Sequence, residues 1–294
     1  MDVCKRFEHY LIEEKSMAKT SLNAYMHDLK EFTAYINDEK DRQLIDTGHA
    51  DIVAYLMQLK DSGRSKATIN RKLASLRSFF RMLLQDGDIA HDPTLNIKSP
   101  RLPRKQIEYL SVAEVESLLE QPGDSPKGVR DKALLELLYA SGMRVSEVVM
   151  ADLADLNLRI GFITCTGEHG KARVIPLGRP ARAALESYVY EHRVQFLRDK
   201  ADCDALFLNY VGDRISRQGV WKILKEYAQK AGLEQKLSPQ VLRNSFAAHM
   251  IQNGADLKSL QELLGHEDIT ATQIFVSVTK NRIMDVYDKT HPRA

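Results

Sequence analysis

Cysteine is scarce in this 294-residue sequence, and its three copies, Cys4, Cys165 and Cys203, stand far apart. That excludes a disulfide framework, and since none forms a CxxC or Cys/His pair at zinc spacing, it also excludes a small zinc module. All three are expected to be reduced structural residues, and no metal site or cofactor is expected. Long apolar runs are missing too: no stretch approaches the ~20 residues that a bilayer crossing requires, so no membrane segment is expected. The opening Met1-Asp2-Val3-Cys4-Lys5-Arg6-Phe7-Glu8 has no basic stretch followed by an apolar core, so a cytoplasmic rather than a secreted protein is expected. Internal repeats and low-complexity tracts are absent. Net charge is small, +2, so a nucleic-acid partner must be argued from where the charge sits and not from its sum.

What is present is ordinary globular material, 44% apolar and 28% charged, in a length that suits two cores. Apolar residues at three- and four-residue spacing predict helices over 6–15, 21–37 and 50–59, with Leu22, Tyr25, Leu29, Phe32 and Ile36 forming one stripe. A further helix over 66–85 turns Ile69, Leu73, Leu76, Phe80 and Leu83 inward. Its polar side is read as Arg64, Lys66, Arg71, Lys72, Arg77 and Arg81, with no acidic residue in the stretch. Solvated faces usually mix both signs to gain pairs one turn apart, so this one reads as a phosphate-contacting face.

Between 86 and 108 the periodicity breaks at Gly87, Pro93, Pro100 and Pro103, while Lys98, Arg101, Arg104 and Lys105 make the segment basic. It reads as a linker over 91–109, joining an N-terminal domain over 1–90 to a C-terminal domain over 110–294. The capping box Ser111-Val112-Ala113-Glu114 opens the second domain. A helix over 130–140 ends at Ser141-Gly142, and two strands over 161–166 and 172–177 make a hairpin around a glycine-containing turn. Helices are predicted at 181–197, 216–231, 239–253, 257–264 and 270–278, with a tail helix over 283–289. The fold class is mainly α with a small antiparallel β-sheet.

Several C-terminal segments resemble the tyrosine recombinase (phage integrase) family, and its Xer branch in particular. They are Leu137-Leu138-Tyr139-Ala140-Ser141-Gly142-Met143-Arg144-Val145-Ser146-Glu147, Arg173-Val174-Ile175-Pro176-Leu177-Gly178, Leu242-Arg243-Asn244-Ser245-Phe246-Ala247, Leu263-Leu264-Gly265-His266, and the terminal run from Val286-Tyr287 to His291-Pro292-Arg293-Ala294. The resemblance implies a helical SAM-like core-binding domain followed by a catalytic-type domain, the two clamping duplex DNA. Members attack one phosphodiester with a tyrosine. Two arginines fork onto the scissile phosphate, where planar bidentate donors match its geometry and charge and favour the pentacoordinate transition state. Arg144 and Arg243 stand at those positions, and His266 stands where the family has a phosphate-binding histidine.

Other positions depart from the family pattern. The nucleophile is expected nine residues after His266, and the segment there is Ala271-Thr272-Gln273-Ile274-Phe275; a phenylalanine has no hydroxyl and forms no phosphotyrosyl bond. The hairpin turn, normally Gly-Lys-Gly-x-Lys-x-Arg, reads Gly167-Glu168-His169-Gly170-Lys171-Ala172-Arg173, which puts Glu168 in place of the lysine that protonates the leaving oxygen. A carboxylate ~4 Å from a phosphate is repelled by about 4 kcal/mol at an effective dielectric near 20. Lys171 is the candidate substitute acid. Gln240 replaces the family's acid/base histidine and cannot exchange a proton near neutral pH.

The groups that move protons or form bonds are thus replaced, while those that hold a phosphate remain. The leading expectation is a cleavage-deficient duplex-DNA-binding protein acting as a regulator, an architectural factor or the silent partner of an active recombinase; the expected partners are double-stranded DNA and, through the C-terminal tail, a related active recombinase or copies of itself on DNA. The alternatives are an active recombinase with a relocated nucleophile, Tyr287 or Ser277, or a partner's tyrosine, and a protein-interaction module without DNA binding. His169, His249 and His291 are read as structural or surface groups, and Trp221 as a helix anchor rather than a stacking platform.

Overall fold

The computed structural model describes residues 2–40, 42–101, 107–167, 170–197 and 203–265, and the predicted helices over 270–278 and 283–289 lie outside them. The chain divides into two units, Met1–Lys105 and Gln106–Ala294.

In the first unit four helices, α1 (Val3–Glu13), α2 (Lys19–Lys40), α3 (His49–Asp61) and α4 (Lys66–Gln85), enclose an aromatic-rich core. Phe7 meets Phe79 edge-on at 5.3 Å between ring centroids, and Phe32 meets Tyr55 at 5.0 Å. Each ring of this kind, fully buried, contributes about 1.5–3 kcal/mol. The Ser65 hydroxyl accepts from the Thr68 N–H and caps α4.

The polar side of α4 needs a correction. Lys72 is buried, 2% exposed, and its ammonium donates to Asp28 Oδ1 at 3.1 Å and to Glu31, both on α2. Arg71 donates to Asp28 as well, and Arg77 donates to the Ile97 carbonyl and to Ser99 Oγ. The acids missing from α4 in sequence are supplied by the helix packed against it. A buried ammonium is tolerated because carboxylates answer it directly. Arg64, Lys66 and Arg81 remain exposed. Within the segment read as a linker, residues 93–100 lie against this unit: the Pro93 carbonyl is 3.1 Å from His49 Nδ1 and the Pro100 carbonyl accepts from Asn70 at 2.9 Å.

The second unit begins at the predicted capping box, where Ser111 accepts from the Glu114 N–H and Glu114 returns to the Ser111 N–H, starting α5 (Val112–Leu119). Next come α6 (Pro126–Ser141), capped by Ser125, and α7 (Val145–Met150), which periodicity does not reveal because six residues are too few to show it. A three-stranded antiparallel sheet follows in the order β1 (Leu156–Asn157), β2 (Phe162–Thr166), β3 (Ala172–Pro176). The hairpin is the one expected, with Ile163 opposite Ile175 and Cys165 opposite Arg173.

The helix expected over 181–197 is interrupted. It comprises α8 (Arg179–Glu186), a π turn over Ser187–His192 and α9 (Val194–Leu197). Its inward residues are Ala181, Leu185, Tyr188, Arg193 and Phe196, and the five-residue step from Tyr188 to Arg193 is the one a π turn provides. It brings the Arg193 guanidinium to the Ala205 carbonyl at 2.7 Å. Then α10 (Arg217–Lys230), α11 (Pro239–Gln252) and α12 (Leu257–Leu264) complete the described part. Among the described residues no helix is long and apolar enough to cross a membrane.

Candidate phosphate-binding site

Three helix ends build the site. α6 stops at Gly142, whose φ of 57° is the left-handed conformation glycine adopts without strain; a Cβ there would sit 2.4 Å from Phe246. The chain turns at once into α7, leaving Arg144 as the residue before its first turn. The Glu147 carboxylate reaches back to the Arg144 N–H at 2.7 Å and also accepts from its guanidinium at 3.2 Å. Arg144 keeps its side chain 42% exposed. α12 ends at Gly265, again left-handed, where any side chain would collide with the Arg173 guanidinium.

Arg243, on the first turns of α11, is 5% exposed. It donates to the Gly142 carbonyl and, at 2.7 Å, to the Leu264 carbonyl, holding together the ends of α6 and α12. Glu147 lies beneath: Arg173 donates to both of its oxygens, at 3.0 and 2.9 Å, and Arg243 approaches it to 3.9 Å. Burial pushes the Glu147 carboxyl up, but its bonds from Arg173 and the Arg144 backbone outweigh burial and hold it below the ordinary value. Burial, with repulsion from Arg144, brings the Arg243 guanidinium down to about 10, still charged at neutral pH. Burial and the nearby Glu147 raise the Cys165 thiol to about 12, so this cysteine is an inert core residue, as expected.

Among the described residues three guanidinium groups surround one carboxylate, an excess of two positive charges, and Arg144 offers its own to solvent. A cleft of about 320 Å³ opens there, lined by Arg144, Arg243, Gln240, Arg217 and Trp221 among others. The structure thus brings the two predicted arginines together with Gln240. Gln240 donates to Asn244 Oδ1 at 2.9 Å. An anion entering the cleft meets convergent donors in a partly desolvated setting, where charge-assisted hydrogen bonds are strong.

Lys171 is exposed beside the hairpin turn, whose Gly167 N–H donates to the Lys171 carbonyl at 3.0 Å. Glu168, His169, His266, Phe275, Ser277, Tyr287 and His291 lie outside the described residues, as do Arg104 and Lys105. Lys98 and Arg101 are exposed. His249 is structural as expected: it is buried, its Nδ1 lies 2.9 Å from the Tyr139 hydroxyl, and burial lowers its pKa. Trp221 is a correction: it is 51% exposed on α10 and is not among the residues that helix buries. Sequence reasoning gave Glu147, Arg173 and Arg217 no role. The Arg-x-x-Glu spacing of Arg144 and Glu147 carried the signal for the first, because three residues separate a helix's N-cap from the side chain that returns to it.

The phage integrase family matches residues 108–282, and the phage integrase N-terminal SAM-like domain matches residues 4–87. Tyrosine recombinase XerD of Listeria innocua is 44% identical over 295 aligned positions, covering 100% of this chain and 99% of that protein. Tyrosine recombinase XerC of a Roseiflexus species is 41% identical, covering 94% of this chain and 89% of its own. Among solved structures, the XerH site-specific recombinase bound to palindromic difH substrate in a post-cleavage complex gives a TM-score of 0.77 at 21% identity, covering 96% of this chain and 83% of that one; the likeness is one of fold. The chain belongs to the phage integrase family, as a Xer-type tyrosine recombinase.

Proposed function

We propose that this member of the family grips a backbone phosphate of duplex DNA without cutting beside it, acting in the cytoplasm on the nucleoid as a regulator, an architectural factor or the silent partner of an active recombinase. The carrying observation is the cleft itself. The exposed Arg144 and the buried Arg243 open into it together, and the neighbour at the acid/base position is Gln240, which donates hydrogen bonds but exchanges no proton. In sequence, Phe275 stands at the nucleophile's position and Glu168 at the lysine's. The binding groups are kept and the bond-breaking groups are replaced. Affinity is expected to come mainly from phosphate contacts, through the cleft and through Arg64, Lys66, Arg81, Lys98 and Arg101, and to fall steeply with salt.

A second reading has support of its own. The 44% identity to a protein named as a tyrosine recombinase favours retained strand exchange, with the nucleophile relocated to Tyr287 or Ser277 or supplied by another subunit. Duplexes selected from a random library, then rebuilt with a nick as suicide substrates, separate the two. Salt-sensitive binding with no covalent adduct in denaturing gels is the expected result, and an adduct would overturn the first reading. Restoring Phe275→Tyr, Glu168→Lys and Gln240→His together is expected to regain nicking, while Phe275→Tyr alone stays poor.

A further inference from the structure

We propose that the Trp221 indole packs against the nonpolar deoxyribose face of duplex DNA beside the phosphate held by Arg144 and Arg243. The inference rests on the DNA-binding reading and adds a contact to it. α10 buries its large apolar residues Val220, Ile223, Leu224 and Tyr227, so its core-facing side is complete without Trp221. The indole is instead half exposed and lines the cleft that holds both arginines. One turn before it stands Arg217 and one turn after it Lys225, with Lys222 alongside, all exposed.

That stripe reads cation, indole, cation along one helix face. An apolar protein surface docking on Trp221 would have to strip water from the flanking cations without answering their charge. A nucleic-acid strand answers both parts, because its phosphates alternate with nonpolar sugar faces. The cleft supplies the register: a nucleotide whose phosphate reaches Arg144 brings its sugar to the wall that Trp221 forms. Trp221 is thereby a positioning contact that carries no base readout of its own.

The sequence has one tryptophan, so emission excited beyond the absorption of its tyrosines reports residue 221 alone. The full-length protein is titrated with a fluorescein-labelled random-sequence duplex of about 30 base pairs at low salt, following anisotropy and acrylamide quenching of tryptophan together. Shielding of the indole is expected to track the anisotropy. Trp221→Ala is expected to weaken binding about tenfold and Trp221→Phe less, with thermal midpoints unchanged. The slope of log affinity against log salt is the sharper readout. It stays the same in Trp221→Ala, since an indole releases no counterion, and falls by about one in Lys225→Gln.

Full anisotropy with an unshielded indole, an unweakened Trp221→Ala variant, or shielding by single-stranded oligothymidylate with none by duplex would each overturn the proposal while leaving DNA binding intact. Absence of any salt-sensitive duplex binding would overturn both readings at once.

Discussion

Arg173 clasps Glu147 with both of its terminal nitrogens, at 3.0 and 2.9 Å, and so decides the charge state of the carboxylate on which Arg144 is steadied. The pair is almost wholly buried, and Arg173 also donates from Nε to the Leu263 carbonyl at 2.7 Å. β3 is thereby tied to α7 and α12 through one side chain.

Glu147→Gln is expected to destabilise the second unit by about 3–5 kcal/mol, because it leaves the guanidinium of Arg173 buried and uncompensated. The pH dependence has a definite sign. The folded carboxyl titrates below its ordinary value of 4.5, so its contribution is full above about pH 4.5 and is lost as pH falls through the lower folded value. Urea unfolding of the wild type is therefore expected to lose stability on the acid limb more steeply than Glu147→Gln does. Parallel acid limbs would show that Glu147 is not the controlling group.

Arg144 and Arg243 both serve the cleft, but their removal is expected to have different consequences. Arg144→Ala should leave thermal unfolding nearly unchanged, within about 0.5 kcal/mol, and weaken duplex binding. Arg243→Ala should weaken binding and also cost about 2–4 kcal/mol of stability, since it strands the carbonyls of Gly142 and Leu264. Calorimetry and anisotropy on the two variants distinguish these outcomes, and equal stability losses would contradict the placement of Arg243.

The basic residues on and just before α4 divide in the same manner. Neutralising Arg64, Lys66 or Arg81 with glutamine is expected to lower the salt slope of duplex binding by about one for each phosphate no longer neutralised, with stability kept. Lys72→Met is expected to destabilise the first unit by about 3 kcal/mol and to leave the salt slope alone, because Lys72 faces Asp28 and Glu31 rather than solvent. A reduced slope in Lys72→Met would place its charge outside after all.

The course of these helices was legible where one stretch of chain decides the outcome. The bounds of α4, the capping box at Ser111, the stops at Gly142 and Gly265 and the hairpin around Gly170 all rest on local rules, whereas Arg144 and Arg243 were singled out by the resemblance to the tyrosine recombinase family. What escaped was decided by partners distant in sequence. Lys72 reads as a surface cation until α2 is packed on α4. Trp221 reads as an anchor until the rest of α10 is seen to fill the core without it. The π turn at Ser187–His192 is set by the carbonyls that Arg193 must reach, a demand no periodicity announces.

The bond from Arg243 to the Gly142 carbonyl has a bearing on descent. An arginine that joins two helix ends is kept by selection on folding whether or not a phosphate ever visits it, so a lineage abandoning DNA would lose it last. Arg144, its side chain 42% exposed, has weaker shelter of that kind. Divergent copies of this gene are therefore best compared at residue 144, where drift would register the abandonment of DNA earliest.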